Sequence, residues 1–139
     1  MRPWLKVVGG FGIVAVSFFA TNYILESRNT PANRDAQRIA DIKKLREAIR
    51  SYYRAKNNSF PKDLKLLVDG RFLDSIPVDP LWAGTRKGYQ YYTDGSIVFG
   101  LQAWFEEQHG NVAAGASCRT GLGTKEAMMW GPDIAECPF

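Results

Sequence analysis

The sequence predicts an α+β fold in which an N-terminal transmembrane helix is followed by an amphipathic helix packed on a small antiparallel β-sheet. Three observations lead there. Nineteen uncharged residues run from Val7 to Leu25. Apolar residues then recur at helical spacing between Ile39 and Tyr53. A two-residue alternation flanks the turn signal Asp94-Gly95. The chain has 139 residues, so about 110 follow the apolar tract, enough for one modest core. Hydrophobic residues make up 45% and aromatics 13%, which excludes a disordered tail.

The tract "KVVGGFGIVAVSFFATNYILESR" comes first. A nineteen-residue helix spans about 28 Å, close to a hydrocarbon core. Arg2 and Lys6 precede it with no acid, so residues 1–6 are expected on the cytoplasmic side and the C-terminal domain across the membrane. Residues 7–25 form the span, and residues 26–31 a linker or kink before Pro31. Residues 32–139 form the translocated domain. A cleaved signal peptide fits poorly, because "SFFA" before Thr21 places Phe18 three residues ahead of the cut. An uncleaved signal-anchor is the plain expectation. Gly9, Gly10 and Gly12 allow close helix approach but make no GxxxG face.

The next helix has marked ends, with Thr30 as cap, Pro31 at the first helical position and Asn57-Asn58 as the stop. Ile39, Ile42, Leu45, Ile49, Tyr52 and Tyr53 fall within an arc of about 140°. Lys43, Lys44, Glu47, Arg50 and Arg54 lie outside that arc, and Arg46 sits at its edge, giving the helix a basic back. A short helix is expected over Asp63 to Asp69, with Leu64, Leu67 and Val68 inward and Gly70 as a left-handed cap. Pro77 and Pro80 make "SIPVDP" an extended loop. In the hairpin, Tyr89, Tyr91 and Thr93 alternate before the turn, and Ile97, Phe99 and Leu101 resume after it. The tail, rich in glycine and alanine, has room for one or two short strands.

Charge is unevenly spread. Residues 1–71 carry fourteen Lys/Arg against six Asp/Glu, and residues 72–139 carry four against eight. A basic half followed by an acidic half suits acidic lipid, nucleic acid or the acidic face of a neighbouring copy, or simply a solvated helix face. Cys118 and Cys137 are too few for a four-ligand zinc site. Outside the cytoplasm they would form a bridge, and inside it two buried thiols; the apolar N-terminus favours the bridge.

The motifs of catalysis are missing: there is no G-x-S-x-G elbow, P-loop or H-E-x-x-H. His109, in "EEQHGN", is expected to be a solvated loop residue. Asp79 is expected to fix an Asx-type turn before Pro80. The aromatics Tyr89, Tyr91, Tyr92, Phe99, Trp104 and Phe105 could stack bases or sugars, but alternation makes half of them core. With only Arg86 and Lys87 nearby, nucleic acid is not expected as a partner.

Residues 36 to 105 carry a more specific pattern. Tyr52-Tyr53, Asn57-Asn58, Phe60-Pro61 and the leucines from Leu64 to Leu67 are followed by Ile76-Pro77-Val78-Asp79-Pro80, with Trp82 one residue late, and then by "YQYYTDG". In this order the sequence resembles the type IV pilin-like proteins, especially the major pseudopilin of type II secretion. "SIVFGLQAWFEE" is similar to the strand that follows in small pilins, and a C-terminal cysteine pair such as Cys118 and Cys137 is common there. The resemblance implies a non-enzymatic, single-pass protein of the bacterial inner membrane with a periplasmic domain. Its partners would be the bilayer and either other pilin-like subunits, in a homo-oligomer or filament, or a membrane protein complex. Lys43, Arg46, Arg50 and Arg54 would then form an interaction helix.

The N-terminus departs from the family pattern. "MRPWLKVVGG" would be the leader, cut at Gly10 with Phe11 as the first mature residue. Ala15 then stands where the family has a Glu that pairs with a neighbour's amine, so that pairing is absent. The family's calcium site has no counterpart in spacing, since Glu126, Asp133 and Glu136 form no ligand run. No metal or cofactor is expected. An anchored periplasmic enzyme or ligand-binding module is the third class considered.

Overall fold

The computed structural model describes residues 29–81, 88–122 and 134–139. The apolar tract with Gly10, Phe11 and Ala15 lies outside them, as do Trp82, Arg86, Lys87, Glu126 and Asp133. Among the described residues, no helix is long and apolar enough to cross a membrane.

Helix α1 spans Pro31–Ala55. Thr30 is extended (φ −78°, ψ 154°), and its hydroxyl accepts from the Asn33 N–H at 3.3 Å, satisfying one of the free donors of the first turn. Pro31 follows at the first helical position. At the other end Asn57 and Asn58 take left-handed φ of 50° and 56°, a conformation Asn tolerates better than most residues. The Asn58 N–H returns to the Tyr53 carbonyl at 3.1 Å, closing the helix as the sequence indicates.

The short helix α2 covers Lys65–Asp69, two residues later in starting than expected, because Asp63 stays outside and accepts the Lys65 N–H at 2.8 Å. Leu67 is buried, with Leu64 and Val68 half-buried. Gly70 is not a left-handed cap. Its φ is −83°, and the left-handed step falls on Arg71 at 61°. Glycine is needed there for space, since a Cβ at residue 70 would stand 2.7 Å from the Phe72 ring.

Strands β1 (Gln90–Thr93), β2 (Phe99–Trp104), β3 (Ser117–Leu122) and β4 (Ala135–Glu136) form one sheet in the order β1-β2-β3-β4. The first two pairings are antiparallel and β3–β4 is parallel, so the sheet is mixed rather than antiparallel throughout. Ile97 does not resume the alternation. The Asp94 carboxylate takes the N–H groups of Ser96, Ile97 and Val98 at 2.8–3.0 Å, which holds those residues in the turn. Ile97 is 71% exposed, and the strand begins at Phe99. The Cys118–Cys137 disulfide, with Cα atoms 4.9 Å apart, ties β4 and the tail to β3.

The core lies between α1 and the sheet. Ile42, Leu45, Ala48 and Ile49 pack with Leu67, Leu73, Phe99, Leu101, Ala103, Phe105 and Val112. Each fully buried Leu, Ile or Phe stabilises the fold by about 1.5–3 kcal/mol. Phe60 links the layers, with its ring centroid 4.4 Å from Tyr53 and 4.9 Å from Phe99.

Candidate functional site

The buried stripe of α1 does not end at its apolar residues. Positions 35, 38, 42, 45 and 49 recur at intervals of three and four, so Asp35 and Arg38 occupy the face that carries Ile42, Leu45 and Ile49. Both charged residues are fully buried. A buried charge is tolerated only when paired and hydrogen-bonded, and here the partners come from two distant segments.

Arg38 Nε and Nη2 donate to the two carboxylate oxygens of Asp79 at 2.7 and 3.0 Å. Its Nη1 donates to Asp35 Oδ1 and Glu106 Oε1, each at 2.7 Å. The guanidinium also lies over the Trp104 ring, 5.2 Å from the centroid. Asp35 accepts the Glu106 N–H at 3.1 Å and the Glu107 N–H at 2.8 Å, and His109 Nε2 stands 3.2 Å from it. Arg34 adds a two-point pair with Glu106, at 2.7 and 2.5 Å, and also donates to Asn29. One turn of helix therefore fastens the Ile76–Pro80 loop and the segment after β2.

Ionisation in the cluster follows from these contacts. The Arg34 hydrogen bonds, supported by Arg38, push the Glu106 carboxyl down to about 2 against the effect of its burial. Burial works to raise the Asp35 carboxyl, but the N–H groups of Glu107 and Glu106 with Arg38 and His109 bring it below the usual range. Burial likewise works to lower Arg38, and the hydrogen bonds it donates to Asp79, Glu106 and Asp35 more than offset this. Carboxylates held ionised around a guanidinium held protonated suit the fixing of loops on a helix, not proton transfer.

Asp79 does fix a turn, accepting the Leu81 N–H at 2.8 Å, but it is also a buried ion-pair partner, which the sequence reading missed. His109 is not a solvated loop residue. It is half-buried against Asp35 and meets the Phe105 ring edge-on, with centroids 5.0 Å apart. Ile76, Pro77 and Pro80 flank Asp79 half-buried, while Val78 points outward. Among the aromatics, Phe99 and Phe105 are core. The Tyr89 hydroxyl donates to Asp41 at 2.7 Å, the Tyr91 hydroxyl to the Pro61 carbonyl at 2.6 Å, and the Trp104 indole to the Gly115 carbonyl at 2.7 Å. Burial pushes the Tyr91 hydroxyl up to about 12.

The four cations named from sequence are not one surface. Lys43, Arg50 and Arg54 are exposed, with Arg50 3.2 Å from Glu47. Arg46 instead turns toward the sheet and donates to Thr120 Oγ1 and the Phe139 carbonyl at 3.4 and 3.1 Å. Glu136 lies exposed on β4, and among the described residues no group of three or more His, Cys, Asp or Glu is placed to hold a metal ion. Comparison with known protein families, curated proteins and solved structures finds no match to this chain.

Proposed function

We propose that this chain is a structural, non-enzymatic subunit of a type IV pilus-like filament or type II secretion pseudopilus. Residues 7–25 would cross the bacterial inner membrane once, and residues 32–139 would form the periplasmic, pilin-like domain. One observation carries the reading. A 25-residue capped helix follows the apolar tract, lays one stripe on a small sheet and keeps an exposed face with Lys43, Arg50 and Arg54. With the family pattern of residues 36–105, this is the form expected of a subunit that binds by its helix. The Cys118–Cys137 bridge is in keeping with an oxidising compartment.

A second reading rests on Ala15. Without a carboxylate at that point, the chain could serve as an uncleaved, membrane-anchored accessory subunit that binds a partner membrane complex and does not polymerise. Intact mass of the mature protein separates the two. Chains beginning at Phe11 are expected for the filament subunit, and chains beginning at Met1 would overturn it in favour of the anchored form.

A further inference from the structure

We propose that neighbouring copies meet head to tail, the basic C-terminal end of α1 in one copy against the acidic loop after β2 in the next. The inference rests on the filament reading above. The two ends of the domain carry opposite charge. Around the first turns of α1, the carboxylates of Asp35, Asp79 and Glu106 pair with the guanidiniums of Arg34 and Arg38 and with His109, and Glu107 adds a fourth carboxylate beside them. Glu107 is exposed, and the loop beyond it presents Asn111, Ala113 and Ala114 to solvent, small enough to admit a neighbour. At the far end of α1, Glu47 offsets Arg50, and the exposed cations Arg54 and Lys56 outnumber the one carboxylate of the adjoining turn, Asp94. Beside them lies a groove of about 280 Å³ between α1 and the sheet, lined by Tyr53, Phe60, Phe99 and Leu122. Leu122 is 54% exposed at the end of β3.

These opposite ends are kept apart within one copy. The Glu107 N–H is bonded to Asp35, and from Asp35 to Arg54 the helix rises about 28 Å. The charges can therefore meet only between copies. A contact joining different patches of two copies propagates rather than closing as a pair. Exposed charges supply orientation more than affinity, with the groove adding apolar contact.

The same separation makes the test specific. In the full chain, in the membranes of cells that make it, Ala55→Cys and Gln108→Cys place reporters beside Arg54 and Glu107 without removing either charge. A bismaleimide much shorter than the intramolecular distance should give a ladder of dimers and higher multimers. Either cysteine alone should give none. Arg54→Glu should cut the ladder about tenfold, and adding Glu107→Arg should restore it, a recovery that simple misfolding would not produce.

The contact is overturned by dimers from a single-cysteine chain, by crosslinks only to another protein, or by a ladder indifferent to charge reversal. Chains that begin at Phe11 and give no ladder sink the contact and leave the filament reading standing. Chains that begin at Met1 and give no ladder sink both. A charge-dependent ladder in chains that begin at Met1 upholds the contact alone, since that N-terminus overturns the filament reading.

Discussion

Arg38 and Asp79 are 41 residues apart in the chain and form a two-point ion pair inside the protein, at 2.7 and 3.0 Å. The pair joins the second turn of α1 to a proline-bounded loop that has no regular structure of its own. Removing the guanidinium would leave Asp35 and Asp79 buried without their main cation. Arg38→Ala should therefore cost about 3–5 kcal/mol. Urea unfolding should show the midpoint falling with an unchanged slope, and a loss under 1 kcal/mol would contradict the role given to Arg38 here.

Acid should loosen the same region. Glu106 is depressed to about 2 and Asp35 is lowered, so both carboxyls bind protons less readily folded than unfolded. Their contribution is complete above the unfolded carboxylate range, about pH 4, and drains away as pH falls through the folded values toward 2. The denaturation midpoint should drop steeply across that window, and less steeply in Glu106→Gln. Equal slopes for the two proteins would show that Glu106 is not a source of the acid sensitivity.

The bridge should matter for stability. Cys118 and Cys137 are separated by 19 residues, and closing a loop of that size stabilises by about 3 kcal/mol in the chain-entropy account. Replacing both by Ala should lower the melting temperature accordingly. Amide exchange should rise first at residues 135–137, including the Cys137 N–H that bonds the Arg119 carbonyl at 2.8 Å. Protection unchanged there would mean that backbone pairing alone holds β4.

Gly121 is required by proximity. A Cβ at that position would lie 2.1 Å from the Phe99 carbonyl oxygen, and backbone cannot give way as a side-chain tip can. Gly121→Ala should cost about 1–3 kcal/mol by forcing β2 and β3 apart. Gly115→Ala, which meets open space, is the contrast, although its φ of 73° adds strain of its own. Amide protection at Phe99 and Leu101 should fall in the first variant only.

What could be read in the sequence was what local chemistry decides. Thr30-Pro31 and Asn57-Asn58 mark helix ends because caps and left-handed turns depend on residues a few positions apart. The alternation of Tyr89, Tyr91 and Thr93 with Gln90 and Tyr92, resumed at Phe99 and Leu101, marked the strands for the same reason. Gly70 misled, because glycine there answers the Phe72 ring rather than a backbone angle. Ile97 misled because one carboxylate, Asp94, gathers three N–H groups and outweighs a strand-forming residue.

The cluster was out of reach in a different way. Asp35 and Arg38 stand in step with Ile42 and Leu45, a signal present in the spacing, but charge normally points to solvent. Their partners Asp79 and Glu106 are set by the tertiary fold, and no local rule pairs them. The parallel β4 was equally hidden, since two residues carry no periodicity and the bridge is what brings them to the edge.

The sheet's order has a bearing on how the protein comes to be folded. β1, β2 and β3 are successive neighbours joined by short or moderate connections, so they pair at low sequence separation. β4 pairs in parallel through two residues only and is held by a covalent bond. Helix, hairpin and third strand can thus assemble before any thiol is oxidised, leaving the fourth strand to join last. A cell that makes this protein would meet a nearly complete domain with two thiols still to be joined, and oxidation of that pair would be the closing step of its maturation.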